Sequence, residues 1–134
     1  MPLFRLHVQV FQPRQQKIQG TVCLLHGYLE HSGIYQPIIQ EILDQGFSVL
    51  TSALPGHGLS NGSPASIQNF DHYQQVLHAV YEAVRGAKQL PRPWLGIGQS
   101  TGGAIWMHHL LEFAERREDP IVNRVLLLSP LIRP

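Results

Sequence analysis

Trp94-Leu95-Gly96-Ile97-Gly98-Gln99-Ser100-Thr101-Gly102-Gly103-Ala104 decides how the rest of the chain is read. A short apolar run, Trp94 to Ile97, leads into Gly98-x-Ser100-x-Gly102, and helical spacing of apolar residues begins near Gly103. A strand that turns abruptly into a helix, with a serine at the turn, strains that serine's backbone and lifts its hydroxyl clear of the sheet. Gly98 and Gly102 suit such a bend, because Cβ atoms two residues either side of the serine would collide. Ser100 also stands at a helix start, where free N–H groups face any developing negative oxygen. It is therefore read as a nucleophile, against the plainer reading of a small polar helix cap.

Outward from this turn the chain alternates strand and helix patterns. Leu3 to Phe11 alternates loosely, with Leu6, Val8 and Val10 set against Arg5, His7 and Gln9, as a half-exposed edge strand would. Thr21 to Leu25 is a continuous apolar run, which suits a strand buried on both faces. Ile34, Tyr35, Ile38, Ile39, Ile42 and Leu43 recur at helical spacing, with Pro37 tolerated in the first turn and Gly46 as a stop. Phe47 to Leu54 reads as another buried strand. Phe70, Tyr73, Val76, Leu77, Val80, Tyr81 and Val84 mark an amphipathic helix ending near Gly86. The helix after the turn runs to about Arg117, with Ile105, Leu110, Leu111 and Ala114 as core positions, and Val122 to Leu128 closes the series as a buried strand. Such alternation predicts an α/β fold: a mostly parallel sheet, right-handed crossovers, and helices on both faces.

Composition narrows the function classes. The chain has 134 residues, 43% hydrophobic and 14% charged, with a formal net charge of +1. That suits one globular domain, and no Lys/Arg run is dense enough to track a phosphate backbone, which excludes a nucleic-acid partner. The single cysteine, Cys23, lies inside an apolar strand and is expected to be a buried, inert thiol. No signal peptide and no apolar stretch of membrane-crossing length is seen, so a cytoplasmic protein is expected.

Other polar residues have plainer roles. Glu30, His31 and Ser32 read as capping residues at a helix start. His57, between two glycines, reads as a structural residue fixing its loop. His108 and His109 point about 100° apart as helical neighbours and cannot share a metal ion on one face, so they are read as surface or partly buried. A dinucleotide site is weighed because Gly96-x-Gly98 opens the strand–turn–helix unit. The third glycine of that fingerprint is Thr101, and no acid ends the next strand, so it is set aside. No metal and no organic cofactor is implied.

Four motifs together resemble the α/β-hydrolase superfamily, and within it the monoacylglycerol lipase and lysophospholipase-like branch. They are His26-Gly27-Tyr28-Leu29-Glu30-His31-Ser32-Gly33-Ile34-Tyr35, Pro55-Gly56-His57-Gly58-Leu59-Ser60, the Gly98 to Gly103 turn, and Leu127-Leu128-Ser129-Pro130. The resemblance implies that Ser100 is the nucleophile and that the backbone amides of Tyr28 and Thr101 form the oxyanion hole. Three positions depart from the branch: Ala53 stands where an aspartate is usual, Gln99 replaces a histidine, and Thr101 replaces a common methionine. Neither substitution beside Ser100 is expected to touch the chemistry, because the site uses backbone there.

In this fold the acid and the histidine of the triad follow the serine. His108 would sit about 12 Å along its helix from Ser100, out of hydrogen-bond reach. No carboxylate or histidine follows the last strand, so residues 1–134 read as the N-terminal half of an α/β-hydrolase, ending where relatives insert a cap. A C-terminal fragment of the same protein is the expected partner. The expected function is hydrolysis of a small-molecule carboxylic ester, a monoglyceride or lysophospholipid above all, with transient contact to a membrane surface. This chain alone is expected to be inactive. A peptidase releasing N-terminal residues and a non-catalytic hydrolase-like binding module are the alternatives.

Overall fold

The computed structural model describes residues 8–14, 17–25, 35–52 and 71–128. Within them the order is β1 (Val8–Phe11), β2 (Thr21–Leu25), α1 (Gln36–Asp44), β3 (Ser48–Ser52), α2 (Asp71–Val84), β4 (Trp94–Gln99), α3 (Thr101–Arg116) and β5 (Arg124–Leu128). The strands form one sheet in the order β1-β3-β2-β4-β5. β3, β2, β4 and β5 run parallel, and β1 closes one edge antiparallel to β3. The expected α/β sheet is what forms.

Each strand splits the core between two faces because successive side chains point to opposite sides. Cys23, Leu25 and Leu50 face α2 and α3, meeting Tyr73, Val76, Leu77, Ile105 and Trp106. Leu24 and Val49 face the other way, onto Tyr35 and Ile39 of α1. β2 and β3 are buried along their whole length, as unbroken apolar or small-residue strands between two helical layers should be. The Cys23 thiol is among these buried groups, and burial pushes its pKa up to about 12, so it stays protonated.

Two sequence expectations fail at the edges. In β1 the alternation exists with the opposite phase: Gln9 and Phe11 are half-buried, while Val8 and Val10 are exposed. Phe11 packs into the α1-side cluster, and Val10, opposite Leu50, points to the other face and is 44% exposed. β5 is not fully buried either, since Leu126 is 55% exposed. Strand β5 pairs with β4 along one side, and no described strand pairs along its other side.

Helix ends follow local chemistry. Pro37 falls in the first turn of α1, and Gly46 after it adopts φ 91°, a left-handed conformation open to glycine at little cost. The α3 stripe differs from the expected one. Ile105, Trp106, His109 and Phe113 are buried at helical spacing, whereas Leu111 is 62% exposed and Ala114 is exposed too. Residue type misled: the face turned to the sheet is set by the turn at Ser100, and it carries a histidine where leucine looked natural.

Candidate active site

β4 ends at Gln99 and α3 begins at Thr101, so one residue makes the whole connection. Ser100 has φ 52° and ψ −114°, a conformation that L-residues rarely adopt. It is clamped from both sides. Its N–H donates to the Leu128 carbonyl of β5 at 2.9 Å, and its own carbonyl accepts the Ala104 N–H at 3.0 Å. That second bond closes the first turn of α3, leaving the amides of Thr101, Gly102 and Gly103 ahead of the helix's hydrogen-bond ladder.

The glycines explain how so tight a turn fits. A Cβ on Gly98 would lie 2.5 Å from the Gly102 carbonyl carbon and 2.6 Å from the Gly103 nitrogen, which no real methyl group tolerates. Two residues earlier on β4, a Cβ on Gly96 would meet the Trp106 indole at 2.8 Å. The indole therefore lies against bare backbone and donates Nε1–H to the Ile97 carbonyl at 3.2 Å, bracing α3 on the strand that leads to Ser100. Trp106 is wholly buried, so this brace is also a large apolar contribution to the core.

The parallel register sets Ser52, Leu25 and Gly98 side by side across β3, β2 and β4. Ser100 thus stands at the carboxyl edge of the sheet, where open α/β sheets bind ligands. A cavity of about 680 Å³ lies at the opposite end, by Trp94, His78 and Phe113, and does not serve Ser100.

Of the residues singled out in the sequence, Ser100, Thr101, Gly98 and Gly102 come together at this turn. Tyr28 lies outside the described residues, as do Glu30, His31, Ser32, Ala53, His57 and the Ser129-Pro130 pair. Thr101 is buried, and its hydroxyl finds no partner among the described residues.

The histidines of α3 serve elsewhere. His109 is fully buried, contrary to the surface or partly buried position expected of it. Its Nε2 accepts the Ile121 N–H at 2.9 Å, so the proton of the neutral ring sits on Nδ1, which has no described partner. Burial, with smaller contributions from His78 and His108, lowers its pKa to about 4. It pins the stretch between α3 and β5, well away from Ser100.

Sequence reasoning passed over two polar residues that matter structurally. Gln74 is buried within the α2 apolar stripe and donates Nε2–H to the Ile105 carbonyl at 2.8 Å, tying α2 to α3. Its position between Tyr73 and Val76 was the available signal. Gln99, beside Ser100, accepts a hydrogen bond from the Tyr35 hydroxyl at 3.1 Å. Nothing in the sequence pairs those two.

Comparison with known proteins agrees with this architecture. The profile of the family described as serine aminopeptidase, S33 (Hydrolase_4) matches residues 16–134. The caffeoylshikimate esterase of Arabidopsis thaliana is 31% identical over 108 residues, covering 78% of this chain and 32% of the esterase. A monoacylglycerol lipase of Mycolicibacterium smegmatis is 31% identical over 88 residues, covering 65% of this chain and 31% of the lipase. The crystal structure of the Paleococcus ferrophilus monoacylglycerol lipase superposes with a TM-score of 0.73 at 27% identity, over 94% of this chain and 43% of that one. The chain spans less than half the length of each of these relatives. With the family profile matched over most of its length and the sheet built in the same fold, this chain belongs to the serine aminopeptidase S33 family of α/β-hydrolases.

Proposed function

We propose that this chain carries the nucleophile and the oxyanion donors of a serine hydrolase that cleaves carboxylic esters through an acyl-enzyme. One observation carries the reading: the strained Ser100 backbone, φ 52° and ψ −114°, held at the carboxyl edge of the sheet between β4 and α3. Strain of this kind persists only where surrounding structure over-determines it, and it concentrates at functional sites. Ser100 Oγ attacks the ester carbonyl, the bond to the alkoxide breaks, and the acyl group stays on the serine until water releases it as an acid. The amides of Thr101 and Tyr28 bind the oxyanion, and removing one such donor lowers the rate by about 10²–10³.

A base must take the Ser100 proton and hand it to the leaving alkoxide. His108 is about 12 Å along α3 from Ser100, and the Nε2 of His109 is engaged by Ile121. In this fold the acid and the histidine follow the serine in sequence, so a C-terminal segment of the same fold, whether joined to this chain or separate from it, supplies them. The names of the relatives, monoacylglycerol lipase and caffeoylshikimate esterase, support an ester as substrate, with a monoglyceride or lysophospholipid as the best match. The family's description as an aminopeptidase supports a second reading, release of an N-terminal residue by the same acyl transfer.

Reaction with a fluorophosphonate, followed by peptide mapping, tests the core of this reading. Adduct at Ser100, absent from Ser100→Ala, is expected when intact mass shows a C-terminal segment in the sample. No adduct in such a sample refutes the enzyme and leaves a non-catalytic binding module. Rates on p-nitrophenyl esters of increasing acyl length, set against aminoacyl p-nitroanilides, then separate esterase from peptidase.

A further inference from the structure

We infer that the cavity at the amino end of the sheet is a second binding site, one that takes a free aromatic α-amino acid as its zwitterion. The cavity has a volume of about 680 Å³ and is lined by residues of α2, α3, the start of β4 and the connection from α3 to β5. That size suits a small-molecule site. It is independent of Ser100, which stands at the opposite edge of the sheet.

The floor is aromatic and apolar. Trp94, Phe113 and Val122 line it and are buried. Tyr81 stands edge-on to Trp94 at 5.1 Å, and the His78 ring stacks on Phe113 at 5.4 Å. Rings held by such contacts offer a ligand's ring a fixed surface and lose little freedom when it binds.

The charged groups around this floor define what else the ligand carries. Glu82 and Arg85 answer each other at 3.4 Å. Arg92 and Asp119 also line the cavity, and neither side chain has an ion-pair partner among the described residues. One uncommitted guanidinium and one uncommitted carboxylate beside an aromatic floor match a carboxylate and an ammonium on one aromatic molecule. A plain anion is repelled by Asp119 and a plain cation by Arg92, so each is held less well than a zwitterion.

Both charges are carried on backbone that is already tied down. The Thr21 N–H donates to the Pro93 carbonyl at 2.9 Å and the Thr21 hydroxyl to the Pro91 carbonyl at 2.8 Å, one bond on each side of Arg92. Beyond Asp119, the Ile121 N–H donates to the buried His109 ring at 2.9 Å. The Asn123 N–H donates to the Trp94 carbonyl at 2.8 Å, which sets the two charged segments side by side. Groups fixed in this way before binding cost less to order when the ligand arrives.

Isothermal titration calorimetry of the chain with L-phenylalanine tests the site. Saturable one-to-one binding is expected, with a Kd below about 1 mM. N-acetylphenylalanine lacks the ammonium, phenylalaninamide lacks the carboxylate, and alanine lacks the ring. Each should bind about tenfold more weakly. Arg92→Gln should weaken phenylalanine about tenfold and leave phenylalaninamide unchanged. Asp119→Asn should weaken phenylalanine to the same extent and leave N-acetylphenylalanine unchanged. Both residues are exposed, so the thermal midpoints of the variants should match the parent's. Four results each overturn the site: no saturable binding of phenylalanine, equal affinity for either blocked derivative, equal affinity for alanine, or parental affinity in either variant.

Discussion

Gly98 has no room for a methyl group, because its Cβ would stand 2.5 Å from the Gly102 carbonyl carbon and oxygen. Those are backbone atoms in the first turn of α3, so relief requires moving the helix off the strand. Gly98→Ala is expected to destabilise the chain by about 3 kcal/mol, measured as a fall in thermal midpoint. The same variant should slow adduct formation at Ser100 at least tenfold. Thr101 invites the opposite expectation. Its hydroxyl is buried without a described partner, and valine has the same shape without the polar atom. Thr101→Val should leave the thermal midpoint unchanged or raise stability by about 1 kcal/mol, since an unmade hydrogen bond is removed rather than broken. A clear loss would mean that the hydroxyl is bonded after all. Residues of this kind were only half legible: the glycine requirement follows from the motif, but the orphan hydroxyl does not.

At the scale of elements, α3 carries the pH dependence. His109 is fully buried, neutral, and accepts the Ile121 N–H, while its pKa is lowered from its ordinary 6.5 to about 4. The unfolded chain protonates this ring below about pH 6.5 and the folded chain does not until about 4. Stability is therefore full above 6.5 and falls as the pH drops towards 4, by about 3 kcal/mol in total. Urea unfolding at pH 7.5, 5.5 and 4.5 should show that slope. His109→Gln, which keeps an acceptor for Ile121 and has no proton to gain, should flatten it. A slope unchanged in that variant would place the titration elsewhere. The sequence showed that this helix is amphipathic but not which stripe faces inward, because leucine at 111 and histidine at 109 point against their usual environments. The turn at Ser100 sets the rotation of α3, and that rotation buries the histidine.

For the whole molecule, the side left bare among the described residues is at β5. Parallel sheets are ordinarily covered on both faces, yet Leu126 is 55% exposed on the face that α1 occupies, opposite Ile97. This is where the proposed C-terminal segment would continue the sheet. Leu126→Glu alters a side chain already in water, so the chain's own stability should change by no more than about 0.5 kcal/mol. Association with the segment, followed by co-purification or by activity on mixing, should fall about tenfold or more. Unaltered association would put the junction somewhere else. The architecture itself was legible because each buried strand was bounded by turn residues and each helix repeated at helical spacing. Strand order and the phase of β1 were not, since neither is a local property.

What the sequence by itself determined is the local grammar: a strand, a one-residue turn at Ser100, a helix, and the glycines that allow their contact. Those depend on φ, ψ and sterics over a few residues, which a short stretch of chain specifies alone. Only the tertiary structure decided that Tyr35 reaches Gln99, that His109 is sealed in the core, and that Leu126 is left bare. Each depends on how distant segments are brought together by the sheet, and hydrophobic burial sets that arrangement without leaving a local trace.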